Sequence, residues 1–378
     1  MKEALIISLK NPIRKNKVGG QQDILGRVLA LHKLGYHVDI IAIDNKDQLQ
    51  NDTKLPDGVN LYLYEKKFNL NKLIKYPIAT ATRFQDEIVS FLQQKKYDIS
   101  ICESEFLYVY WQLGLVQSKR SFLRMHNVES EYYTSLASSE RNLLKKILYN
   151  IDSYRLKSLE KGKFLEVEKL LFISNDEYNR MDIAHNRKDI LPAIFPIYTQ
   201  DIEKNIASNN NSNILIFGDF TLEINKNGLN WFLKSVWPKI IEKNPSIKLN
   251  VVGKGSESYK NDYNLHTLGY VEDLKSLFDS FQIVAIPLLE GAGVKIKLVE
   301  SLLRRKTIIT TSKGVEGTEL LNNTHLFVAD NPTDFAEYCI YALENMHESK
   351  LVAENGFNFA KDIYTIEGHA SYLDKLLS

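Results

Sequence analysis

Cysteine is almost missing from this chain of 378 residues, which holds only Cys102 and Cys339. That excludes a disulfide framework and a clustered zinc site. An excess of one charge is missing too. Lys and Arg number 48 against 47 Asp and Glu, a formal net charge of +1, so the global basic excess that marks a nucleic-acid partner is not there. Apolar runs stay well short of the roughly 18 residues that a membrane span needs. The opening MKEALIISLK returns to charge after about four apolar positions, a first strand rather than a signal peptide. Asp-x-Asp occurs nowhere, so a metal-bridged diphosphate lacks its usual ligand pair and neither metal nor other cofactor is expected. Solenoid-length repeats and long low-complexity tracts are absent as well. What remains is the composition of a soluble globular protein, 44% hydrophobic and 25% charged. The length suits two α/β domains, and the cytoplasm is the expected compartment.

Short apolar runs alternate with helical patterns. Ala4–Ser8 reads as a buried strand, followed by a polar loop with Gly19 and Gly20. A helical pattern through Ile24, Val28, Leu31 and Leu34 stops at Gly35, and the strand Val38–Ile43 follows. That is the spacing of a parallel βαβ crossover. Residues 99–102, 121–125 and 170–173 read as further buried strands. The polar stretch 208–213 is the clearest break, and a second α/β series follows it. Its strands fall at 214–218, 248–253, 266–269, 283–287 and 307–311. Its helices fall at 228–237, closed by Pro238, and from about Val294 to Leu303. The pattern predicts two Rossmann-like domains with parallel sheets, residues 1–200 and 212–357, joined near 196–213. A C-terminal helix over about 358–378 is expected to pack back on the first domain. Ligands of such sheets bind beyond the carboxyl ends of the strands, which for two facing domains means the cleft between them.

The most informative segment runs from Ile283 to Glu300. A buried strand enters the loop Glu290, Gly291, Ala292, Gly293, and the loop opens a helix at Val294 that carries Lys295, Lys297, Leu298 and Glu300. Small residues let a ligand approach the backbone. A helix entrance has N–H groups without partners and a dipole that favours an anion, and two lysines add point charge suited to a diphosphate. Glu300, three residues beyond Lys297 on the same face, can accept both hydroxyls of a ribose.

On these residues the chain resembles the retaining GT-B glycosyltransferases of family four (group 1). The subgroup pattern Gly-x-Gly-x-Lys-x-Lys-x-x-Glu matches Gly291 to Glu300. The likeness extends to Phe217-Gly218, Asn225, Trp231-Phe232 and Trp237-Pro238, and to the stretch Thr307 to Gly317. It implies a GT-B fold of two Rossmann-like domains and transfer of a sugar from a nucleotide-diphosphate sugar to an acceptor hydroxyl. The acceptor would be a glycan, lipid-linked or protein-linked, in surface polysaccharide, glycolipid or glycoprotein synthesis. By the same resemblance Glu300 holds the donor ribose, Gly218 and Gly291 to Val294 line the donor, and Glu290 faces the sugar. Nine residues separate Glu290 from Glu300 where the common pattern has seven, so the backbone of Ala292 and Gly293 is a second candidate to face the sugar. Many members carry an Arg and a Lys after the first strand of this domain. Here Asp219 occupies the Arg position, Lys226 is the candidate for the Lys, and Lys295 and Lys297 are expected to compensate.

The N-terminal half is more loosely similar. Gly19 and Gly20 match the glycine pair that such enzymes place near phosphate or sugar, and His126, in His-Asn-x-Glu, matches a histidine that contacts the donor sugar near the reacting carbon. Glu103 and Glu105 read either as contacts to acceptor hydroxyls or as a solvated acidic turn. Ser174 and Asn175 read as positional. Over Arg141 to Lys163, seven basic residues face Asp152 and Glu160, with Leu143, Leu144, Ile147, Leu148 and Ile151 at helical spacing. The favoured reading is a core-facing helix with a solvated basic face, and the other lays it on the inner face of an anionic membrane. A non-catalytic subunit bound to a partner transferase or glycan, and a nucleotide-sugar epimerase, are the competing functions.

Overall fold

The computed structural model describes residues 2–13, 19–48, 54–126, 128–197, 199, 213–261, 264–271, 278–291 and 293–378. The expected linker falls almost wholly outside them, as does Ala292. The chain divides into two compact units, Met1–Pro196 with His369–Ser378, and Ile197–Gly368.

In the first unit the described strands are β1 (Lys2–Ser8), β2 (Tyr36–Asp44), β3 (Val59–Glu65), β4 (Tyr97–Cys102), β5 (Ser118–Met125), β6 (Lys169–Phe172) and β7 (Lys188–Ile190). They form one sheet in the order β3-β2-β1-β4-β5-β6-β7, and every pairing is parallel. Leu5, Ile7, Ile41, Ile43, Cys102, Leu123 and Phe172 carry its core. The second unit has β8 (Asn213–Phe217), β9 (Lys248–Val252), β10 (Leu265–Thr267), β11 (Ile283–Ile286), β12 (Thr307–Thr310) and β13 (Phe327–Val328), in the order β10-β9-β8-β11-β12-β13 and again parallel. Each sheet reverses its winding beside its first strand, between β1 and β4 and between β8 and β11. Strand ends at such a switch point splay apart and leave a crevice for ligands.

Several expectations change. Gly19 and Gly20 are not in a loop but open the helix Gly19–Lys33, where the N–H groups of a first turn need no intrahelical acceptor. Pro238 does not close a helix. The helix Glu223–Trp231 passes through a π-turn at Phe232–Val236 into the helix Trp237–Lys243. There the Trp237 N–H bonds the Phe232 carbonyl, five residues back. Pro238 sits where the register changes, so its missing N–H interrupts no ladder. The helix expected from Val294 begins at Ile296, with Lys295 at its N-cap.

The segment after 357 is not one helix. Met346–Tyr364 runs unbroken within the second unit against the helix Ile296–Leu303 and β12. A separate helix, Ile366–Leu377, carries only His369–Ser378 into the first unit.

The helix Leu143–Lys161 reverses the favoured expectation. Its buried face carries Asp152, Ser153 and Leu156, and its apolar stripe lies exposed.

Candidate functional site

In the second unit the carboxyl ends of β8, β9 and β11 bring the motif together. Gly218 follows β8 and Gly253 follows β9, and a Cβ on Gly253 would lie 1.9 Å from the Gly218 carbonyl oxygen. Only glycine lets these strand ends run so close. A Cβ on Gly218 would in turn meet the Lys297 amine at 3.1 Å, so the lysine comes onto bare backbone. After β11 the chain turns through Gly291 and Gly293, at φ +112° and +69°, conformations in which a side chain is strained. Thr310 of β12 donates to the Ile286 carbonyl at 2.8 Å, and Thr311 donates to that of Leu288. These two bonds hold the start of the loop.

Lys297 reaches back across the unit and donates to Asn225 Oδ1 at 2.7 Å, while Asn225 Nδ2 donates to the Asp219 carbonyl at 2.8 Å. Burial pushes the Lys297 amine down to about 8. An amine in that condition gains from any anion brought to it. Lys295 turns onto its own loop and donates to the Gly293 carbonyl, and burial lowers it too, with Lys313 adding to the effect and Glu316 opposing it. The helix beyond begins its ladder with Leu298 N–H donating to the Lys295 carbonyl at 3.0 Å. The N–H groups ahead of that bond lack intrahelical acceptors.

The remaining predicted residues of this unit fall as follows. Glu300 is partly buried. Burial pushes its carboxyl up, and Arg304, with a guanidinium nitrogen 3.4 Å away, opposes that rise. Glu290 is exposed and accepts from Asn227 Nδ2 at 3.0 Å. Lys226 is exposed and pairs with Glu223 at 3.3 Å on its own helix. Leu298 is fully buried and its N–H is already donated, so it seats the helix and has no side-chain group to offer a ligand. Val294 lies against Gly317, whose added Cβ would be 3.2 Å from the Val294 nitrogen. Asp219 spends its carboxylate on Thr221, accepting from the backbone N–H at 3.0 Å and from the hydroxyl at 2.5 Å. Asn225 and Gly317 carry the geometry without having been singled out as site residues. Both lie within the matched family stretches, which was the signal for them.

In the first unit His126 follows β5, its Nε2 3.6 Å from Glu103 Oε2. Glu103 is no solvated turn. It is buried and takes the Arg27 guanidinium at 2.6 and 3.0 Å, and Arg27 also donates to Asp23 at 2.6 Å, one helical turn before it. Arg124 lies 3.6 Å from Asp23 and donates to the carbonyls of Leu191 and Pro192. His369 Nε2, from the C-terminal helix, stands 3.5 Å from Arg27. Burial raises both carboxyls, and their neighbours more than reverse it. Arg27, Arg124 and His126 hold Asp23 well below the ordinary range, and Arg27 and His126 lower Glu103. Asp23, Glu103 and His126 each offer a ligand atom within 4.8 Å of the others, but two guanidinium groups already supply the positive charge there. A divalent ion would face that repulsion. Sequence reasoning missed Asp23, Arg27 and Arg124. Glu105 is buried as well. Ser174 caps the helix Asn175–Arg180.

The family described as glycosyl transferases group 1 matches residues 211–345. A Klebsiella pneumoniae protein described as an uncharacterized 44.6 kDa protein in cps region is 29% identical over 383 residues, covering 96% of this chain and 97% of that protein. Among solved structures, Anabaena Alr3699/HepE in complex with UDP has a TM-score of 0.64 at 12% identity, over 100% of this chain and 99% of that one. Sucrose-phosphate synthase from Thermosynechococcus elongatus has a TM-score of 0.63 at 14% identity, over 100% and 98%. Residues 211–345 are a glycosyl transferases group 1 domain within a GT-B fold, and the chain is a glycosyltransferase.

Proposed function

We propose that the chain transfers a sugar, with retention at the reacting carbon, from a nucleotide-diphosphate sugar to an acceptor hydroxyl in surface-polysaccharide, glycolipid or glycoprotein synthesis. The observation that carries the donor half is the partly buried Lys297 amine brought onto Gly218 by Asn225 at the switch point of the second sheet. A diphosphate seated at the entrance of the helix Ile296–Leu303 would meet Lys297, the helix N–H groups and Lys295. Those charges stabilise the nucleotide as it leaves, where negative charge develops. Glu300 would accept the ribose hydroxyls, and the backbone of Gly291 to Val294 would line the sugar. The UDP complex of the Anabaena relative supports a nucleotide donor, and the cps region of the Klebsiella relative supports a polysaccharide product.

We assign His126 a role at the donor sugar, Gly19 and Gly20 a role near phosphate or sugar, Lys226 a secondary contact with the diphosphate, and no metal. The test is calorimetric titration with UDP, GDP and TDP and their sugars, followed by product analysis. At least one nucleotide should bind the wild type, and Lys297→Met should weaken it by about 10- to 100-fold, the range of one or two charge-assisted hydrogen bonds. Unchanged affinity in that variant would sink the assignment. His126→Ala should lower kcat and leave nucleotide affinity intact, and EDTA should leave turnover unchanged. Release of an epimerised sugar, with no transfer, would favour the epimerase.

A further inference from the structure

The switch point of the first sheet lies between β1 and β4, and Glu103 is the first residue past β4. Its backbone N–H donates to the Ile7 carbonyl at 3.0 Å, which fixes the residue where the two strands part. Its side chain is buried and faces two cationic or hydrogen-donating partners. Arg27 closes on it with Nε at 2.6 Å from Oε1 and Nη2 at 3.0 Å from Oε2. His126, just past β5, brings Nε2 to 3.6 Å from the same Oε2.

Arg27 is held in its turn. Asp23 accepts from its Nη2 at 2.6 Å and takes the Ile194 N–H at 2.9 Å, and His369 Nε2 stands 3.5 Å from its Nη1. Such a cluster is a poor way to gain stability. Desolvating the charges costs about what their pairing returns, and well-packed apolar side chains of the same volume do as well or better. What the cluster secures is an anion. Burial raises the Glu103 carboxyl, and Arg27 and His126 more than reverse it. Glu103 therefore stays ionised and can only accept.

That decides how the histidine stands. An imidazole nitrogen facing an ionised carboxylate carries its proton, because a bare lone pair there would face a negative oxygen. Nε2 is thus the protonated nitrogen, and Nδ1 is left for another partner. The ring is half-buried, so it is not closed off from a ligand. The loop after β4 also holds the turn that carries the ring. Glu105, two residues on, accepts the Glu129 N–H at 3.1 Å, at the first residue of the helix Glu129–Ser139. One loop therefore grips the imidazole at one end of that turn and the helix start at the other.

We infer that Glu103 is a positioning residue for sugar transfer, holding His126 with Nε2–H turned inward and Nδ1 presented to the donor sugar. Arg27 serves it by keeping the acceptor oxygens in place. The inference rests on the reading that His126 meets that sugar. A neutral Nδ1 is an acceptor, so it orients the sugar by taking a hydroxyl hydrogen. A ring free to turn would present either nitrogen and lose that selection.

The test has two parts on the full chain. In the first, protein carrying isotope-labelled histidine is read by long-range proton–nitrogen NMR at a pH where the ring is neutral, with His126→Ala assigning the signal. The proton is expected on Nε2. In Glu103→Gln, Arg27 claims the amide oxygen and the amide NH2 faces Nε2, so the proton should move to Nδ1. In the second, turnover is followed as nucleotide release from whichever UDP-, GDP- or TDP-sugar binds, with water as acceptor. Glu103→Gln should lower kcat about 10- to 100-fold and leave nucleotide affinity within about twofold. Placed on His126→Ala it should cost nothing further, because a positioning residue has no effect once its ring is gone. The paired variant Arg27→Met, Glu103→Leu removes both charges and leaves Asp23 to Arg124, 3.6 Å away. It should melt close to the wild type and still lose the same factor in kcat.

A wild-type ring protonated on Nδ1 would overturn the inference. So would Glu103→Gln or the paired variant turning over at the wild-type rate, or a loss in Glu103→Gln that repeats in full on His126→Ala. Should Glu103→Gln fail to fold, the wild-type spectrum and the paired variant decide. Full turnover by His126→Ala would sink the donor-sugar role of His126 and the role of Glu103 with it, whereas a ring protonated on Nδ1 would sink only the latter.

Discussion

Lys297 shows how one side chain can link folding to ligand affinity. Its amine is lowered by burial to about 8, against 10.5 for an unhindered lysine. Between those values the unfolded chain holds a proton that the native empty site has released, so the stability of the unliganded protein should rise with pH across that window. Ligand affinity should move the other way. An anionic diphosphate needs the ammonium, and binding should weaken as pH climbs through about 8. Calorimetric titrations from pH 6.5 to 9.5, with urea unfolding over the same range, would check both slopes, and Lys297→Met should flatten both.

Arg27 presents the opposite balance. It is fully buried between Asp23 and Glu103, and those carboxyls sit below their ordinary values largely because of it. Their contribution to stability is present above the ordinary carboxylate range and is lost as pH falls through the depressed folded values. Replacing Arg27 with Met strands two buried charges and should cost about 3–5 kcal/mol. Acid unfolding should then begin at a higher pH than in the wild type. A variant with wild-type acid resistance would contradict this account.

At the scale of elements, the helix Glu223–Trp231 lies so close to the end of β11 that a Cβ on Gly228 would stand 2.2 Å from the Pro287 carbonyl oxygen. Helix propensity alone favours alanine there by about 1 kcal/mol. The clash should win, and Gly228→Ala should destabilise the second unit by about 1–3 kcal/mol, read from its thermal midpoint. The same helix carries Asn225, so the variant should also weaken nucleotide binding.

Elements differed in how plainly the sequence announced them. Fully buried parallel strands such as Ala4–Ser8 read as uninterrupted apolar runs because both faces of the sheet are covered. β3 (Val59–Glu65) gives no such signal, since it is half-exposed with polar residues among its tyrosines and leucines. In the sequence Pro238 reads as a stop, because its effect depends on the bond that the preceding π-turn has already displaced, and a π-turn has no local signature in the sequence.

At the scale of the whole molecule, the last ten residues return to the first unit. His369, Ala370 and Leu373 are buried there. A chain ending at Gly368 loses them, and the loss of Leu373 alone should cost about 2–5 kcal/mol. Differential scanning calorimetry should show the first unit melting earlier and the second unit, marked by its response to nucleotide, unchanged. A single unshifted transition would count against that assignment.

The sequence by itself determined the parallel α/β class, the two-part organisation and the loop-and-helix segment Gly291 to Glu300, because periodicity, glycine placement and helix-start chemistry are local and leave their mark within a few residues. Tertiary structure alone decided which partners meet. Asn225 reaches Lys297 across 72 positions and Arg27 reaches Glu103 across 76. It also turned the apolar stripe of the helix Leu143–Lys161 to solvent. Periodicity shows that a helix has an apolar face; only the elements packed around it settle whether that face is covered.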